Sequence, residues 1–217
     1  MTLKKNNNKI AIIGAGGQCR AVLAILELNG YQKPEYIFDF GHWKTGEVIL
    51  GIPVLPLKCD EDIKFYCKDT SFILAIGDNS EREKFYKKLT LLGCELLTIV
   101  SRDAKICSGA KIGTAVIISP NVFVGPETFI GNNVILNTGS IVEHESSVGD
   151  HSHLAPGSVL CGRSKIGESG FLGAGAIIID KVSVAAKTII GAGSVVIQSI
   201  KEEGFTWVGS PVKKITK

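Results

Sequence analysis

A short segment of the chain, residues 142–153, is rich in side chains that can accept or donate a proton. It holds three of the four histidines and three acidic residues: His144, His151, His153, Glu143, Glu145 and Asp150. Histidine is the natural general base near neutral pH, and an adjacent carboxylate can orient its ring and raise its basicity. His144, with a glutamate on each side, is therefore the candidate base. The alternative is a set of inert surface histidines, and the distant His42 is assigned no role.

This segment lies inside a repeat of period six that runs from Ile106 to Val196. Every sixth residue is Ile, Val or Leu at sixteen successive positions, and the residue four places later is mostly small or β-branched. Neither a helix nor an alternating strand has this period. A hexapeptide β-helix does, because each short strand sends one aliphatic side chain inward before the chain turns a corner. Three hexads per coil predict roughly five stacked coils around a continuous aliphatic core.

The repeat also predicts what surrounds the candidate base. None of the three histidines falls on the inward position, so we expect their rings to project from the surface of the prism. Residues eighteen apart lie one above the other, about 4.8 Å apart, in a parallel sheet. Gly162 therefore lies over His144, where its backbone amide is suited to stabilise a carbonyl oxygen that gains negative charge.

A second set of stacked positions is formed by small residues. Three successive coils contribute three columns, which are Ala155/Gly173/Gly191, Pro156/Ala174/Ala192 and Gly157/Gly175/Gly193. They predict a strip nearly free of side chains along the prism axis, on which a long thin ligand such as a pantetheine arm could lie. The alternative is that glycine and alanine simply ease tight turns, and the spacing alone leaves both interpretations open.

The first hundred residues have the pattern of a small α/β unit with a parallel sheet. The predicted elements are strands 9–13, 36–38, 71–77 and 95–100, helices 18–29 and 80–92, and a turn with a short extended piece at 51–56. Between the first strand and the first helix lies Gly14-Ala15-Gly16-Gly17, and Asp39 ends the second strand. A glycine turn at a helix N-terminus can bind an anion, and an acidic residue at that strand end can hold a ribose hydroxyl.

The dinucleotide fingerprint in this unit is incomplete, because Cys19 stands where the third glycine is expected. The unit is also about half the size of a full dinucleotide-binding domain. These features favour a mononucleotide or nucleotide-sugar site over a complete NAD site. A tight strand-to-helix turn without a ligand is the alternative.

Composition excludes several other classes of function. The net charge is +3 with scattered charges, which argues against nucleic acid or an anionic membrane as a partner. The six cysteines have no metal-ligand spacing, and several lie in apolar stretches where a free thiol behaves as a small hydrophobic group. This usage, with no apolar signal region at the start and no run of membrane-spanning length, predicts a cytoplasmic protein.

The chain resembles the left-handed β-helix acyltransferases, and specifically the bacterial UDP-amino-sugar N-acetyltransferases of the bacillosamine pathway, which share a two-domain plan with sialic acid O-acetyltransferases. The resemblance covers nearly the whole chain. It rests on the strand-GxGG-helix start, Ile-Phe-Asp, Ala-Ile-Gly-Asp-Asn, Glu-His-Glu and the Gly-Ser-Pro-Val-Lys tail. It implies a Rossmann-like UDP-sugar domain over 1–100 and a β-helix acetyltransferase domain with a C-terminal tail over 101–217. It also implies a homotrimer with acetyl-CoA bound between neighbouring prisms.

The resemblance further implies a role for individual residues. His144 is the expected base and Glu145 its partner, and no metal is expected. The residues expected along acetyl-CoA are His153, Gly162, Ala174 and Ala192. Those expected at the nucleotide sugar are Gly16, Gly17 and Gln18 at the phosphates, Asp39 and Phe40 at the uridine, and Gly77. Two positions differ from the family, which often has Ser-Gly-His at Gly16-Gly17-Gln18 and His-Pro at Ser101-Arg102.

Three functions follow as hypotheses. The first is acetyl-CoA-dependent N-acetylation of a UDP-4-amino-4,6-dideoxy-N-acetylhexosamine, which gives a diacetamido sugar. The second is O-acetylation of sialic acid or a related sugar with the same fold and base. The third is a non-catalytic, nucleotide-binding β-helix that serves in assembly, against which the Glu-His-Glu motif and the small-residue strip both argue.

Overall fold

The computed structural model describes residues 8–41, 44, 46–57 and 60–215. It divides the chain into two compact units, residues 1–99 and 100–217. His42 and Cys59 lie outside the described residues. Over the described ranges, no helix is both long and apolar enough to cross a membrane.

The N-terminal unit is built on a six-stranded sheet. Its strands are β1 (Lys9–Ile13), β2 (Tyr36–Asp39), β3 (Val48–Ile49), β4 (Ile52–Pro56), β5 (Thr70–Leu74) and β6 (Glu95–Leu96). The spatial order is β3-β4-β2-β1-β5-β6, and every pair is parallel except β3 with β4. The helices are α1 (Gly17–Asn29), α2 (Asp60–Tyr66) and α3 (Asn79–Leu91). β1 and β5 are almost entirely buried, which explains the apolar runs 10–13 and 72–74 within them.

Several boundaries differ from the sequence prediction. The third predicted strand ends at Leu74 instead of residue 77, and the segment predicted as one strand over 95–100 is divided into β6 and a strand of the second unit. The short helix α2 and the edge strand β3 were not predicted. Each is too short to show a clear hydrophobic period.

A disulfide corrects the expectation of free thiols. Cys67, just after α2, is bonded to Cys94, just before β6. Cys19, Cys107 and Cys161 are free. The two bonded residues are 27 positions apart in the chain, so no local spacing motif marks them, and only the tertiary fold brings them together.

The C-terminal unit is a parallel β-helix of three faces, and the predicted left-handed hexapeptide fold is confirmed. Face I comprises β7 (Ile99–Val100), β10 (Ile117–Ile118), β13 (Ile135–Leu136), β16 (His153–Leu154), β19 (Phe171–Leu172) and β22 (Ile189–Ile190). Face II comprises β8 (Lys105–Ile106), β11 (Phe123–Val124), β14 (Ile141–Val142), β17 (Val159–Leu160), β20 (Ile177–Ile178) and β23 (Val195–Val196). Face III comprises β9 (Lys111–Ile112), β12 (Phe129–Ile130), β15 (Ser147–Val148), β18 (Lys165–Ile166) and β21 (Ser183–Val184).

The sixfold pattern accounts for the core of this unit. Residues eighteen apart pair in every face, as Val142 pairs with Leu160. The inward aliphatic residues from Ile118 to Val196 are buried, whereas Ile106, in the first coil, is 39% exposed. The last coil is covered at the face I edge by β24 (Thr206–Gly209) and β25 (Val212–Lys214). An edge strand covered in this way offers no free ladder to another chain.

Each corner between two faces is turned in the same manner. In every hexad from 109 to 193, the third residue after the inward aliphatic one has a positive φ. Ten of these residues carry a side chain, and the rest are glycines. The corner after face I is called the I–II corner below, and the corner after face II the II–III corner.

Candidate active site

The candidate base lies at the II–III corner, two residues after the inward Val142 of β14. The Nδ1 of His144 is 3.0 Å from Oε2 of Glu145. An ionised carboxylate can only accept a hydrogen bond, so Nδ1 carries the ring proton and donates it. Nε2 is then left with a free lone pair, and the ring is half exposed. This is the tautomer that a general base requires.

Gly162 lies over this ring, as the repeat predicts. The backbone amide of Arg163 donates to the carbonyl oxygen of His144 at 2.9 Å, which fixes the two coils in register. A Cβ added to Gly162 would lie 2.6 Å from Nε2 and 2.7 Å from Cε1 of His144. Any side chain at this position would therefore displace the ring. Within the part of the chain that the structure describes, the Gly162 amide has no hydrogen-bond acceptor, so it is available to a ligand.

Arg163, one coil above Glu145, completes the cluster, and the sequence interpretation missed it. Its Nε donates to Oε2 of Glu145 at 2.9 Å. The hydrogen bond from His144, and then the one from Arg163, lower the pKa of the Glu145 carboxyl. The carboxylate is therefore ionised over a wider acidic range than a free glutamate. The only sequence clue was the eighteen-residue spacing, which places Arg163 over Glu145 as it places Gly162 over His144.

The other two histidines do not project from the surface, and that expectation was wrong for them. His151 is 4% exposed, and its Nδ1 lies 2.8 Å from Nδ2 of Asn133 one coil below. His153 is 8% exposed in the outward row of face I. There its ring meets the edge of Phe171 at a centroid distance of 5.2 Å, and its Nε2 is 3.3 Å from Nδ2 of Asn137. Residues of neighbouring coils contact both rings, and a one-dimensional period does not reveal such contacts.

The small-residue strip lies at the I–II corner and is open to solvent. Its exposed members are Pro156, Gly157, Ala174, Gly175, Ala192 and Gly193. Gly157, Gly175 and Gly193 have φ between 65° and 67°, and a Cβ on any of them would meet nothing within 4 Å. At the II–III corner, Glu145 and Arg163 adopt the same conformation with side chains. Turn geometry alone therefore does not require this column of glycines.

Within one chain, the expected acetyl-CoA residues are not all together. Ala174 and Ala192 belong to the strip, and His153 precedes the same I–II corner. Gly162 lies with His144 at the II–III corner. The width of face II separates the two groups.

The residues predicted to bind the nucleotide lie at the carboxyl ends of the parallel strands of the N-terminal unit. Gly14 follows β1, and Asp39 ends the adjacent strand β2. Gly77 comes after β5, which lies on the other side of β1. Gly14 is needed for close packing, because a Cβ there would lie 2.7 Å from the carbonyl oxygen of Ala75. Gly16 and Gly17 have open space instead, so packing does not explain why they are glycines.

This glycine turn has the features of an anion site. α1 begins at Gly17 without a side-chain cap, so its first amides are free to bind a negative group. The guanidinium of Arg20, a residue not singled out from the sequence, donates to the carbonyl oxygens of Ala15 and Gly16 at 2.9 and 3.1 Å. In addition, Nε2 of Gln18 is buried without an acceptor among the described residues, which leaves one more donor.

Two further contacts shape the same edge. Phe40, half exposed after β2, packs on Phe85 of α3 with ring centroids 4.3 Å apart. The buried guanidinium of Arg82 donates to the carbonyl oxygens of Ile76 and Gly77 and so holds the loop after β5. Burial lowers the pKa of Arg82 to about 10. Phe85 and Arg82 were not singled out from the sequence, because both lie in α3, whose sequence is otherwise that of an ordinary charged surface helix.

Comparison with known proteins adds independent information. Residues 9–89 match the family model described as the PglD N-terminal domain. A histidine-to-alanine mutant of GDP-perosamine N-acetyltransferase from Caulobacter crescentus, in complex with CoA and GDP-perosamine, is 30% identical, with a TM-score of 0.89 over 98% of this chain and 99% of that one. The acetyltransferase domain of PglB from Neisseria gonorrhoeae, in complex with acetyl coenzyme A, is 27% identical, with a TM-score of 0.87 over 97% of this chain and 100% of that one. WeeI from Acinetobacter baumannii, at 22% identity and a TM-score of 0.65 over 95% of this chain and 99% of that one, shares the fold.

Proposed function

The chain belongs to the sugar acetyltransferases of the hexapeptide-repeat superfamily, and on this premise we propose that it transfers the acetyl group of acetyl-CoA to the amine of a UDP-linked 4-amino-4,6-dideoxy-N-acetylhexosamine. The observation that carries the proposal is the hydrogen-bonded His144–Glu145 pair beside the free amide of Gly162. CoA or acetyl-CoA in two of the matched structures supports acetyl-CoA as the co-substrate, and such a co-substrate favours the cytoplasm as the site of action.

The proposed reaction begins with the sugar amine in its neutral form. Its nitrogen attacks the thioester carbonyl carbon, and Nε2 of His144 accepts the proton that the nitrogen loses. Glu145 stabilises the resulting imidazolium, while the Gly162 amide donates to the carbonyl oxygen as that oxygen gains charge. The C–S bond then breaks to give the amide and CoA, whose sulfur regains a proton from His144 or from solvent. Holding both reactants in line supplies a large part of the rate.

Acetyl-CoA is assigned to the small-residue strip, with its pantetheine arm along Ala174 and Ala192 and with His153 nearby. The strip supports this assignment because its surface is open and free of long side chains. An extended ligand can therefore approach the backbone closely there. Because His144 lies on the other edge of face II, an acetyl group brought by this strip needs the base of a second subunit.

Face II supports a homotrimer that provides that second subunit. Its outward row is apolar through five coils, from Phe123 through Ile141, Val159 and Ile177 to Val195. The phenylalanines of the repeat, Phe123, Phe129 and Phe171, lie on three different faces and form no single patch. In a threefold ring with face II turned toward the axis, the I–II corner of one subunit approaches the II–III corner of the next.

The nucleotide is assigned to the glycine turn and strand ends of the N-terminal unit. The uncapped start of α1 and the donor of Gln18 suit a diphosphate at Gly16 and Gly17. Asp39 suits the ribose hydroxyls, while Phe40 offers an aromatic surface for the base and Gly77 lines the same edge. A matched relative holds GDP-perosamine, so the acceptor panel below includes both a UDP-linked and a GDP-linked sugar.

The first test is thiol release from acetyl-CoA with a panel of acceptors. We expect turnover with the UDP-linked 4-amino sugar and much slower turnover with sialic acid or with a GDP-linked 4-amino sugar. Preference for the GDP-sugar would leave the assignment as an acetyltransferase intact and would overturn the assignment of uridine. Preference for sialic acid would establish the O-acetyltransferase alternative, and no turnover with any acceptor would favour a non-catalytic assembly module.

A second test concerns Asp39. Replacing Asp39 with alanine removes hydrogen bonds to a charged group, worth about 1.5–3 kcal/mol, so KM for the nucleotide sugar should rise by roughly ten- to a hundredfold. KM for acetyl-CoA should stay close to that of the wild type. Glu35→Gln is the matched control, because Glu35 lies at the opposite end of β2 and pairs with Lys9. Equal damage to both KM values would mean that Asp39 is structural.

A further inference from the structure

Arg163 is bound to the proposed catalytic pair and has no part in the function described so far. Its Nε and the Nδ1 of His144 both donate to the same oxygen, Oε2 of Glu145, at 2.9 and 3.0 Å. The carboxylate thus lies between an imidazole and a guanidinium. With two donors on one oxygen, rotation of the Glu145 side chain would break both hydrogen bonds at once.

The backbone holds His144, Glu145 and Arg163 in this arrangement. Glu145 and Arg163 pair across adjacent coils and have nearly equal left-handed φ values of 57° and 59°, so their side chains leave the corner in the same direction. The amide of Arg163 also donates to the carbonyl oxygen of His144 at 2.9 Å. All three residues are therefore held by the coil stacking that forms the fold.

The same corner carries other charges, and none of them substitutes for Arg163. Lys181, one coil further on with a φ of 61°, pairs with Asp180 at 3.7 Å. Glu127 lies one coil below Glu145, and Glu143 precedes the base in the chain. Among the described residues, the guanidinium of Arg163 is the only charged donor to Glu145, and the neutral ring of His144 is the other donor.

We propose that Arg163 is a positioning residue for acetyl transfer, which acts on His144 through the carboxylate of Glu145. This role rests on the proposed function. By fixing Oε2, Arg163 keeps the proton of His144 on Nδ1 and leaves Nε2 directed at the acceptor.

The kinetic test compares Arg163→Met with Lys181→Met. Both changes remove one positive charge from the same corner at positions with the same backbone conformation, but only Arg163 contacts Glu145. Arg163→Met should lower kcat by about tenfold, within the range of couplings found in hydrogen-bonded networks, with little change in either KM. Arg163→Lys should restore part of the lost kcat. Lys181→Met should match the wild type.

A double-mutant cycle and a spectroscopic measurement separate this role from a general structural one. In a Glu145→Gln background, Arg163→Met should cause no further loss of kcat, because the carboxylate through which it acts is gone. Long-range ¹H–¹⁵N spectra of the imidazoles, with His144 assigned by its absence in His144→Ala, need no turnover. They should show the Nδ1–H tautomer in the wild type and in Lys181→Met. In Arg163→Met they should show a mixture of tautomers.

Each outcome has a distinct meaning. An unchanged His144 spectrum in Arg163→Met would overturn the positioning role, whatever the kinetics. A full additional loss of kcat in the Glu145→Gln background would also overturn it. If the spectra change as expected but no acceptor is acetylated by the wild type, the positioning role stands and the proposed function fails.

Discussion

His144→Ala should lower kcat by about 10²–10⁴-fold, the usual contribution of general base catalysis, while the protein stays folded. The ring is half exposed at the II–III corner and takes no part in the aliphatic core, so the melting temperature should remain close to that of the wild type. Calorimetric binding of acetyl-CoA should also be nearly unchanged. Steady-state kinetics at neutral pH with the preferred acceptor measures the loss.

Two companion variants show whether the loss comes from the base itself. Gly162→Ala leaves His144 in the chain but places a Cβ 2.6 Å from its Nε2, so it should displace the ring and approach the loss seen in His144→Ala. His153→Ala should act mainly on the affinity for acetyl-CoA. If His144→Ala keeps more than about a tenth of wild-type activity, well short of the expected loss, the amine enters already deprotonated and the site works by positioning alone.

The fold of the second unit was predictable because its information is periodic. One aliphatic residue in every six defines the strands, the corners and the eighteen-residue register, and the register alone brings Gly162 over His144. The same arithmetic places Glu145 beneath Arg163. That contact was missed because a long, flexible side chain at a turn can point in many directions, and spacing does not choose among them.

The first unit was predictable only in outline. The buried strands β1 and β5 each contain an apolar run, 10–13 and 72–74, that is evident in the sequence. The disulfide between Cys67 and Cys94 depends on how α2 packs, and α2 itself has no clear period. The burial of His151 and His153 likewise depends on neighbouring coils. Such features come from tertiary contacts, which the local pattern does not contain.

The base lies at the II–III corner and the proposed acetyl-CoA strip at the I–II corner. The second large expected effect is therefore that two inactive variants of this chain restore activity when they are combined. His144→Ala removes the base at the II–III corner, and Ala174→Trp blocks the exposed strip at the I–II corner. Each homotrimer should be nearly inactive. Co-expressed in equal amounts with different tags, the two chains should form mixed trimers in which about a quarter of the sites combine an intact base with an intact neighbouring strip. Activity should therefore return to roughly a quarter of that of the wild type.

A matched pair provides the control for this recovery. His144→Ala and Gly162→Ala both damage the II–III corner, so no mixed trimer of these two chains contains an intact site, and co-expression should restore nothing. Tandem affinity purification on both tags confirms that the chains have mixed, and light scattering at micromolar concentration gives the mass of the assembly. A monomeric mass would rule out the trimer. Mixed trimers without recovered activity would mean that each chain builds a complete site across its own face II, although its base and its strip lie on opposite edges of that face.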